Sequence, residues 1–335
     1  MAKIAFFSTK IYDRQYFENS TDKHQFEFFE SRLRSSSLRL VKGFDGVCVF
    51  VNDSINADVL RGLDAENVRL VALRCAGFNN VDLKAAQQHN IRIMRVPAYS
   101  PEAVAEHAVA LMMSLTRKTH KAYNRVREGN FSIERLMGFT IHGKTVGVCG
   151  TGRIGQAFCR ILSGFGAKII ASDKYHSPDM LNLGVKYLGF DEILEQSDIL
   201  SLHCPLTPET HHVINAASLK KMKKGAMLIN TSRGKLVDTA AVIEALRSEQ
   251  IGALAIDVYE QEEKLFFRDL SEQIIRDEHI SRLMIFPNVI ITAHQGYFTH
   301  ESMEQITAIT LQNFDDFVAG NNSENEVNCA FMENN

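Results

Sequence analysis

Short runs of apolar, β-branched residues alternate with helical patterns along the chain. Four such runs occur in the first hundred residues, at 4–8, 46–51, 70–74 and 91–96. Strands that alternate with helices form βαβ units, in which the strands lie parallel in one sheet. This part of the chain therefore predicts an α/β unit with a parallel sheet.

The pattern changes at Pro101, where a long helical stretch begins. Ser100 is a capping residue and Pro101 suits a first helical turn, so together they predict a helix start and a domain boundary.

A second series of strands and helices predicts a doubly wound sheet, then a helix from 300 to about 319 and a frayed tail. The charged stretch 260–282 predicts either a short helix over an active site or a solvated helical insertion. The strands of this second series are predicted at 145–149, 168–172, 199–203, 227–230, 253–256 and 289–292.

Composition narrows the class of protein. Of 335 residues 45% are hydrophobic and 23% charged, and no apolar run approaches the length of about 18 residues that spans a bilayer. The 37 Lys and Arg residues against 40 Asp and Glu residues give a net charge of −3, so no basic field attracts nucleic acid or a membrane. The start of the chain is unlike a signal peptide. We therefore expect a cytoplasmic protein whose partner is a small molecule, with no nucleic acid and no membrane.

The cysteines indicate neither a disulfide framework nor a metal site. They form no CxxC pair and have no histidine at metal-ligand spacing, which predicts reduced, mostly buried thiols. Cys204 follows a predicted strand beside an expected ligand cleft, so a reactive role stays open beside simple packing. The six cysteines are Cys48, Cys75, Cys149, Cys159, Cys204 and Cys329.

A glycine-rich motif of the form GxGxxG follows the predicted strand 145–149. Its glycines allow a tight turn that brings backbone N–H groups to a pyrophosphate, and a helical pattern starts directly afterwards. Asp173 ends the next strand, eighteen residues beyond Gly155, where a carboxylate can accept hydrogen bonds from both hydroxyls of an adenosine ribose. The combination predicts an NAD site; the alternative is a glycine-rich turn with a surface Asp. The motif comprises Gly150, Thr151, Gly152, Arg153, Ile154 and Gly155.

Polar residues follow three further strands at the edge of the sheet where ligands bind in open α/β folds. Arg233 offers a planar fork for a carboxylate, and His294 can exchange a proton near neutral pH. A carboxylate behind the histidine, such as Glu262, can orient its ring. Taken singly, Arg233 could cap a helix, Glu262 could be a solvated charge, and His294 could be a core histidine.

These motifs resemble the D-isomer-specific 2-hydroxyacid dehydrogenases over nearly the whole chain. Within that family, the segments 96–101 and 260–282 and the pair Glu106-His107 resemble the fermentative D-lactate dehydrogenases of bacteria. The motifs that carry the family resemblance are Gly150 to Gly155, His203-Cys204-Pro205-Leu206-Thr207-Pro208-Glu209-Thr210, Asn230-Thr231-Ser232-Arg233-Gly234, Asp257-Val258-Tyr259-Glu260 and His294.

The resemblance implies an α/β fold with two Rossmann-like parallel-sheet domains and an active-site cleft between them. It implies a flavodoxin-like substrate domain made of residues 1–100 plus 298–335 and an NAD-binding Rossmann domain at 101–297. A homo-oligomer, either a dimer or a tetramer, is also expected.

The resemblance also implies residue roles. Arg233 binds the carboxylate of a 2-oxo acid, His294 is the acid/base, and Glu262 is its partner, although Glu260 and Glu263 stay open as partners because motif spacing alone selects Glu262. Further substrate contacts are implied at Ala76, Gly77 and Tyr99. The implied cofactor residues are Gly150, Gly152, Arg153, Ile154, Gly155, Asp173, His203, Cys204, Pro205, Thr210, Thr231 and Asp257, the last at the nicotinamide end.

The expected activity is NADH-dependent reduction of pyruvate to D-lactate, with hydride transfer to the carbonyl carbon and protonation of its oxygen by His294. One alternative is a related dehydrogenase acting on hydroxypyruvate, glyoxylate or longer 2-oxo acids. Another is a binding protein that senses NAD, as the transcriptional corepressors of the family do.

Overall fold

The computed structural model describes residues 1–18 and 20–329. They form two compact units, one made of Met1–Ser100 and the C-terminal segment from Phe298, the other of Pro101–Tyr297. The end of the predicted substrate domain, 330–335, lies outside the described residues.

Twelve strands and twelve α-helices are found in the described residues, with short 3-10 turns between some of them. The strands are β1 Lys3–Phe6, β2 Gln25–Phe28, β3 Gly46–Val49, β4 Leu70–Leu73, β5 Arg92–Arg95, β6 Thr145–Cys149, β7 Lys168–Ser172, β8 Lys186–Tyr187, β9 Ile199–Leu202, β10 Ala226–Asn230, β11 Ile251–Ile256 and β12 Val289–Ile291. The helices are α1 Ile11–Phe17, α2 Ala57–Ala65, α3 Leu83–Gln88, α4 Pro101–Arg117, α5 Thr119–Arg127, α6 Arg153–Gly164, α7 Pro178–Asn182, α8 Phe190–Gln196, α9 Ala216–Lys221, α10 Thr239–Arg247, α11 Glu278–Ile285 and α12 His300–Ala319.

The first unit contains a five-stranded parallel sheet in the order β2-β1-β3-β4-β5. This is the flavodoxin-like order of a doubly wound sheet. Every residue of β3 and β4 is buried, as expected for central parallel strands that are covered on both faces. Ligands bind at the carboxyl ends of such strands, and the segment after β4 lies at that end of the sheet.

Strand β2 was not predicted from the sequence. Its Gln-Phe-Glu-Phe pattern alternates in exposure because it lies at the edge of the sheet, and Phe26 and Phe28 place their rings 5.1 and 5.0 Å from the ring of Phe6. The alternation is itself a strand signal, but four residues are too short a run to separate it from a turn.

The second unit contains a seven-stranded parallel sheet in the order β12-β11-β10-β9-β6-β7-β8. The order reverses between β6 and β9, and this switch point is where dinucleotides bind in Rossmann folds. Helix α4 packs against α6 and against β10 to β12, so the helix predicted at Pro101 belongs to this unit. Two parallel-sheet α/β units confirm the predicted fold class.

Two local predictions were wrong. The tail after α12 is not frayed up to residue 327, since Asn321 O accepts a 2.7 Å hydrogen bond from Arg92 and Val327 N–H donates to Ile93 O at 2.9 Å. The stretch 260–282 is neither a single helix nor a helical insertion. It contains a 3-10 turn at Glu262–Lys264, then irregular chain that leads into α11.

Candidate active site

The glycine-rich loop after β6 requires glycine at two positions. Gly150 has φ +93°, and a Cβ there would lie 2.8 Å from the backbone of His203 and Cys204. A Cβ on Gly155 would overlap the carbonyl oxygen of Gly150. Because neither Gly150 nor Gly155 has a side chain, the loop can pack closely between α6 and the segment after β9.

The N-terminus of α6 presents free backbone donors. Gly152 is the N-cap, and the first bond inside the helix runs from Gln156 N–H to Gly152 O at 2.9 Å. The N–H groups of 153–155 precede that bond and lie at the positive end of the helix dipole. A Cβ on Gly152 would meet no atom of the described chain within 4 Å, so the loop has room for a ligand at this point. These features fit the pyrophosphate of a dinucleotide.

Asp173, directly after β7, is tied to this loop. Its Oδ2 accepts hydrogen bonds from Thr151 N–H at 2.5 Å and from Thr151 Oγ1 at 3.1 Å, and its Oδ1 accepts one from Tyr175 N–H at 3.0 Å. Each carboxylate oxygen has two lone pairs, so Oδ1 keeps the capacity to accept from a ribose hydroxyl. The residue predicted to select NAD also fixes the shape of the pyrophosphate loop.

The segment after β9 forms the neighbouring wall. His203 Nε2 lies 2.9 Å from Ser201 Oγ, and desolvation of the ring by burial lowers the pKa of His203 to about 4, so the ring is neutral at pH 7. Thr210 Oγ1 donates to Pro205 O at 2.7 Å and closes the turn. Within the described ranges, the hydroxyl of Thr231 at the end of β10 is buried without a hydrogen-bond partner, which fits a residue that binds a cofactor.

His294 and Glu262 form a hydrogen-bonded pair. His294 Nδ1 lies 3.0 Å from Glu262 Oε1, and both side chains are 21% exposed. Glu262 Oε2 accepts Tyr259 N–H at 3.0 Å, so both carboxylate oxygens are held. A carboxylate can only accept, which assigns the proton to Nδ1 and leaves Nε2 for a substrate.

The structure separates the neighbouring glutamates. Glu260 Oε1 lies 2.7 Å from His212 Nε2, and its Oε2 accepts Thr239 N–H at 2.9 Å. Glu260 therefore contacts His212 and the first residue of α10, whereas Glu262 contacts His294. Motif spacing and geometry select the same residue.

His294 has φ +54°, in the left-handed region that residues other than glycine adopt uncommonly and at a cost in free energy. Its N–H donates to Asp257 O at 2.7 Å. The Asp257 carboxylate accepts hydrogen bonds from Thr292 Oγ1 at 2.5 Å, Gln295 N–H at 2.9 Å and Gly296 N–H at 2.8 Å. The loop on both sides of His294 is therefore fastened to one aspartate, which holds the strained conformation.

His107 on α4 completes this network, and sequence reasoning gave it no role in the site. Its Nε2 lies 3.0 Å from Thr292 Oγ1 and 3.3 Å from Asp257 Oδ1. Burial acts to raise the pKa of Asp257, but the hydrogen bonds from His107, Thr292 and Gln295 outweigh it and hold the pKa below its ordinary value. The available signal was the Glu106-His107 pair, but its link to Asp257 depends on tertiary contacts.

Arg233 follows β10 in a turn packed against the strand end that carries Asp257. A Cβ on Gly234 would overlap the backbone of Tyr259, so this turn requires glycine for close contact. Asn230 Nδ2 donates to Arg233 O at 2.8 Å, and Arg233 Nη1 donates to Ser232 O at 2.8 Å. The guanidinium is partly exposed and keeps further donors for a ligand carboxylate.

The predicted substrate contacts of the first unit lie after β4 and β5. Arg95 Nη1 donates to Ala76 O at 2.9 Å and its guanidinium lies 5.2 Å from the centre of the Phe78 ring, which fixes the loop that contains Gly77. Ala76, Gly77 and Tyr99 are all partly buried. They sit at or beyond the carboxyl ends of the sheet.

Comparison with known proteins identifies the family. The model of the D-isomer specific 2-hydroxyacid dehydrogenase, NAD binding domain, matches residues 109–296. The chain belongs to the D-isomer specific 2-hydroxyacid dehydrogenase family. It is 51% identical to a 2-hydroxyacid dehydrogenase homolog of Haemophilus influenzae and 48% identical to the D-lactate dehydrogenase of Escherichia coli, in each case over 97% of this chain and 99% of the relative. The solved structure of the pyruvate reductase of Chlamydomonas reinhardtii superposes with a TM-score of 0.93 at 43% identity, covering 97% of this chain and 98% of the other.

Membership confirms the resemblance seen in the sequence, the enzyme class and the NAD cofactor. This 2-hydroxyacid dehydrogenase has no helix, among residues 1–18 and 20–329, that is long and apolar enough to cross a membrane. The same described residues contain no cluster of three or more His, Cys, Asp or Glu side chains that could hold a metal ion.

We predict a pH-dependent stability that is due to His203. Because its pKa in the folded chain is about 4, against 6.5 in the unfolded chain, the unfolded chain binds more protons between these values. The stability contributed by neutral His203 is complete above pH 6.5 and decreases by about 2 kcal/mol by pH 5. Urea unfolding of the parent and of His203→Gln at pH 7.5 and pH 5 measures it. Equal losses in both proteins would contradict the assignment.

Proposed function

We propose that this dehydrogenase reduces pyruvate to D-lactate with NADH as hydride donor. The observation that carries the proposal is the His294–Glu262 pair, 3.0 Å apart, in a chain that also carries Arg233 and the glycine-rich loop. Its relatives are supporting evidence, because those from E. coli and C. reinhardtii are named a D-lactate dehydrogenase and a pyruvate reductase.

Cofactor binding is assigned to the second unit. The N–H groups of 153–155 and the Gly150 loop hold the pyrophosphate, and Asp173 accepts the ribose hydroxyls. The remaining cofactor contacts are assigned to His203, Cys204, Pro205, Thr210, Thr231 and Asp257. When bound, NADH supplies the hydride.

The substrate is oriented by charge and shape. Arg233 binds the carboxylate of the 2-oxo acid through its planar fork, aided by the backbone at Ala76 and Gly77. Tyr99 lines the side-chain pocket, and a large ring there favours a substrate with a side chain as small as methyl. Holding the carboxylate at Arg233 and the carbonyl oxygen at His294 selects the face of the carbonyl that reacts, and hence one enantiomer of the product.

Proton transfer belongs to His294. Its Nε2 protonates the carbonyl oxygen as negative charge develops there, while Nδ1–H stays bonded to Glu262. Glu262 fixes the tautomer and the direction of the ring, and Tyr259 N–H fixes Glu262 in turn. Glu262 is a positioning residue because its contact is with His294.

Three single substitutions test the roles of His294 and of the two glutamates. His294→Ala should lower turnover by about 100- to 10,000-fold, the usual contribution of a positioned proton donor. Glu262→Gln should also cause a large loss, because an amide can present its NH₂ group to Nδ1 and favour the wrong tautomer. The matched control, Glu260→Gln, should leave turnover within a few-fold of the parent, since Glu260 contacts His212. Steady-state kinetics with NADH and pyruvate measures all three. The assignment is wrong if Glu260→Gln shows the larger loss.

The substrate is tested with a panel of 2-oxo acids at matched NADH. Pyruvate should have the highest kcat/KM, and one added methylene should reduce it by about 10- to 200-fold, which is the discrimination that an apolar pocket achieves. The product should be oxidised by a D-specific lactate oxidase and not by an L-specific one. Preference for hydroxypyruvate or phenylpyruvate would indicate the related dehydrogenases instead. NADH binding without turnover of any 2-oxo acid would indicate an NAD sensor.

We also propose that the enzyme acts in the cytoplasm as a homo-oligomer, in which a second copy covers an apolar surface on the segment 119–139. No residue of α5 is buried in its own unit. Soluble monomers rarely expose large contiguous apolar areas, and symmetric homodimers are the commonest oligomers. The large apolar side chains of this surface, between 40% and 89% exposed, are Tyr123, Val126, Phe131, Ile133, Met137 and Phe139.

Charge introduced into this surface should separate the subunits. The double variant Ile133→Glu, Met137→Glu should change the mass measured by light scattering from that of an oligomer to that of one chain, because burial of two carboxylates opposes association. Ile285→Glu is the matched control, since Ile285 is 81% exposed but lies outside the surface. A parent protein with the mass of one chain would contradict the proposal.

A further inference from the structure

Two cysteines that are far apart in sequence meet beneath the cofactor loop. Cys149 is the last residue of β6, and Cys204 lies two residues beyond the end of β9, the neighbouring strand. Their Sγ atoms are 3.8 Å apart, and the residues are 8% and 7% exposed. Sequence reasoning treated them as separate buried thiols, because the contact arises from the strand order.

The two thiols differ in acidity. The Cys149 thiol donates a hydrogen bond to the sulfur of Cys204, which lowers the pKa of Cys204. The same bond, together with burial, raises the pKa of Cys149. An acidic thiol beside a protonated one is the arrangement of dithiols that form disulfides, in which the thiolate reacts first and its neighbour resolves the product.

Closing a disulfide here would strain the cofactor loop. The sulfurs would have to approach by about 1.8 Å to reach the S–S bond length of about 2.05 Å. Cys149 O already accepts His203 N–H at 2.7 Å, and the next residue, Gly150, donates its N–H to Ser172 O at 2.9 Å. A Cβ on Gly150 would lie 2.8 Å from Cys204 N, so the two backbones are already in contact. Any part of this approach that rotation of the two side chains does not supply shifts Gly150 or the 203–205 segment.

We propose that Cys149 and Cys204 form a thiol–disulfide site whose oxidation weakens binding of the dinucleotide. The oxidant is a small peroxide. The Cys204 thiolate attacks one oxygen of hydrogen peroxide and releases hydroxide, and the resulting sulfenic acid condenses with the Cys149 thiol to form the S–S bond and water. The two thiols lose two electrons and two protons, and the peroxide becomes two molecules of water. The effect on binding rests on the assignment of the Gly150 loop to the cofactor.

Disulfide formation and NADH binding are thermodynamically linked. If the disulfide weakens NADH binding about tenfold, within the usual range of coupling between two sites, bound NADH must disfavour the disulfide by the same factor. For a two-electron couple, a tenfold factor corresponds to a reduction potential about 30 mV higher with saturating NADH. The factor by which the disulfide weakens NADH binding and the shift in reduction potential caused by NADH must therefore correspond to the same coupling free energy.

The experiment treats the full chain with hydrogen peroxide, blocks remaining thiols with N-ethylmaleimide, and maps disulfides by mass spectrometry. The NADH Kd is measured by fluorescence before oxidation, after it, and after reduction with dithiothreitol. We expect a Cys149–Cys204 peptide, an approximately tenfold higher Kd in the oxidised protein, and recovery on reduction. Cys149→Ala should keep the parental Kd under all three conditions. Cys159→Ala, a buried thiol on α6, should respond like the parent.

Each other outcome contradicts the proposal. Failure to find the Cys149–Cys204 peptide removes the site, and a disulfide with unchanged Kd removes its effect on binding. Loss of affinity in oxidised Cys149→Ala would assign the effect to another group. The disulfide map does not depend on substrate, so these results are separate from any failure to turn over pyruvate.

Discussion

The buried carboxylate of Asp257 is the constraint on which the chemistry at the sheet edge depends. This side chain is 2% exposed, and an unpaired charge at such a depth would be strongly unfavourable. It is compensated by donors that all belong to the loop after β12 or to α4. Because the charge can be satisfied only when that loop lies against β11, the conformation of His294 follows from satisfying Asp257.

This arrangement explains how a strained histidine persists. A left-handed conformation at a residue other than glycine costs on the order of 1 kcal/mol or more, and the surrounding hydrogen bonds must supply it. Here the His294 N–H is held by Asp257 O and the ring by Glu262. Backbone and side chain are thus fixed independently, and the direction of Nε2 has little freedom left. Such preorganisation is what a proton donor needs if it is to act without rearrangement.

The sequence was most informative where a local pattern has a single structural meaning. Buried parallel strands, the GxGxxG turn and polar residues at strand ends predicted the two sheets and the sheet edge that holds Arg233, Glu262 and His294. The sequence was less informative where contacts between distant parts of the chain determine the local structure. Strand β2 is a short edge strand that is stabilised by Phe6, and the tail after α12 is ordered by hydrogen bonds to β5.

The same limit applies within the site. Three glutamates lie within four residues, and because their side chains have the same chemistry, only the motif spacing favoured Glu262 as the partner of the histidine. The structure separates them because His212 and Thr239 take up Glu260, while the 3-10 turn at Glu262–Lys264 directs Glu262 back to Tyr259 N–H. The role of each of these two glutamates is set by the hydrogen-bond partners that the fold brings within reach of its carboxylate.

The strand order β9-β6 at the switch point has a second consequence. It brings the ends of two strands together so that a dinucleotide can lie across them, and in doing so it also brings together whatever side chains end those strands. In this chain Cys149 ends β6 and Cys204 lies two residues beyond the end of β9, and their Sγ atoms are 3.8 Å apart. The topology that creates the cofactor site therefore also creates a pair of thiols, one of which belongs to the residue bonded directly to Gly150, the first glycine of the loop. Oxidation of the thiols and binding of the cofactor are for this reason expected to be coupled.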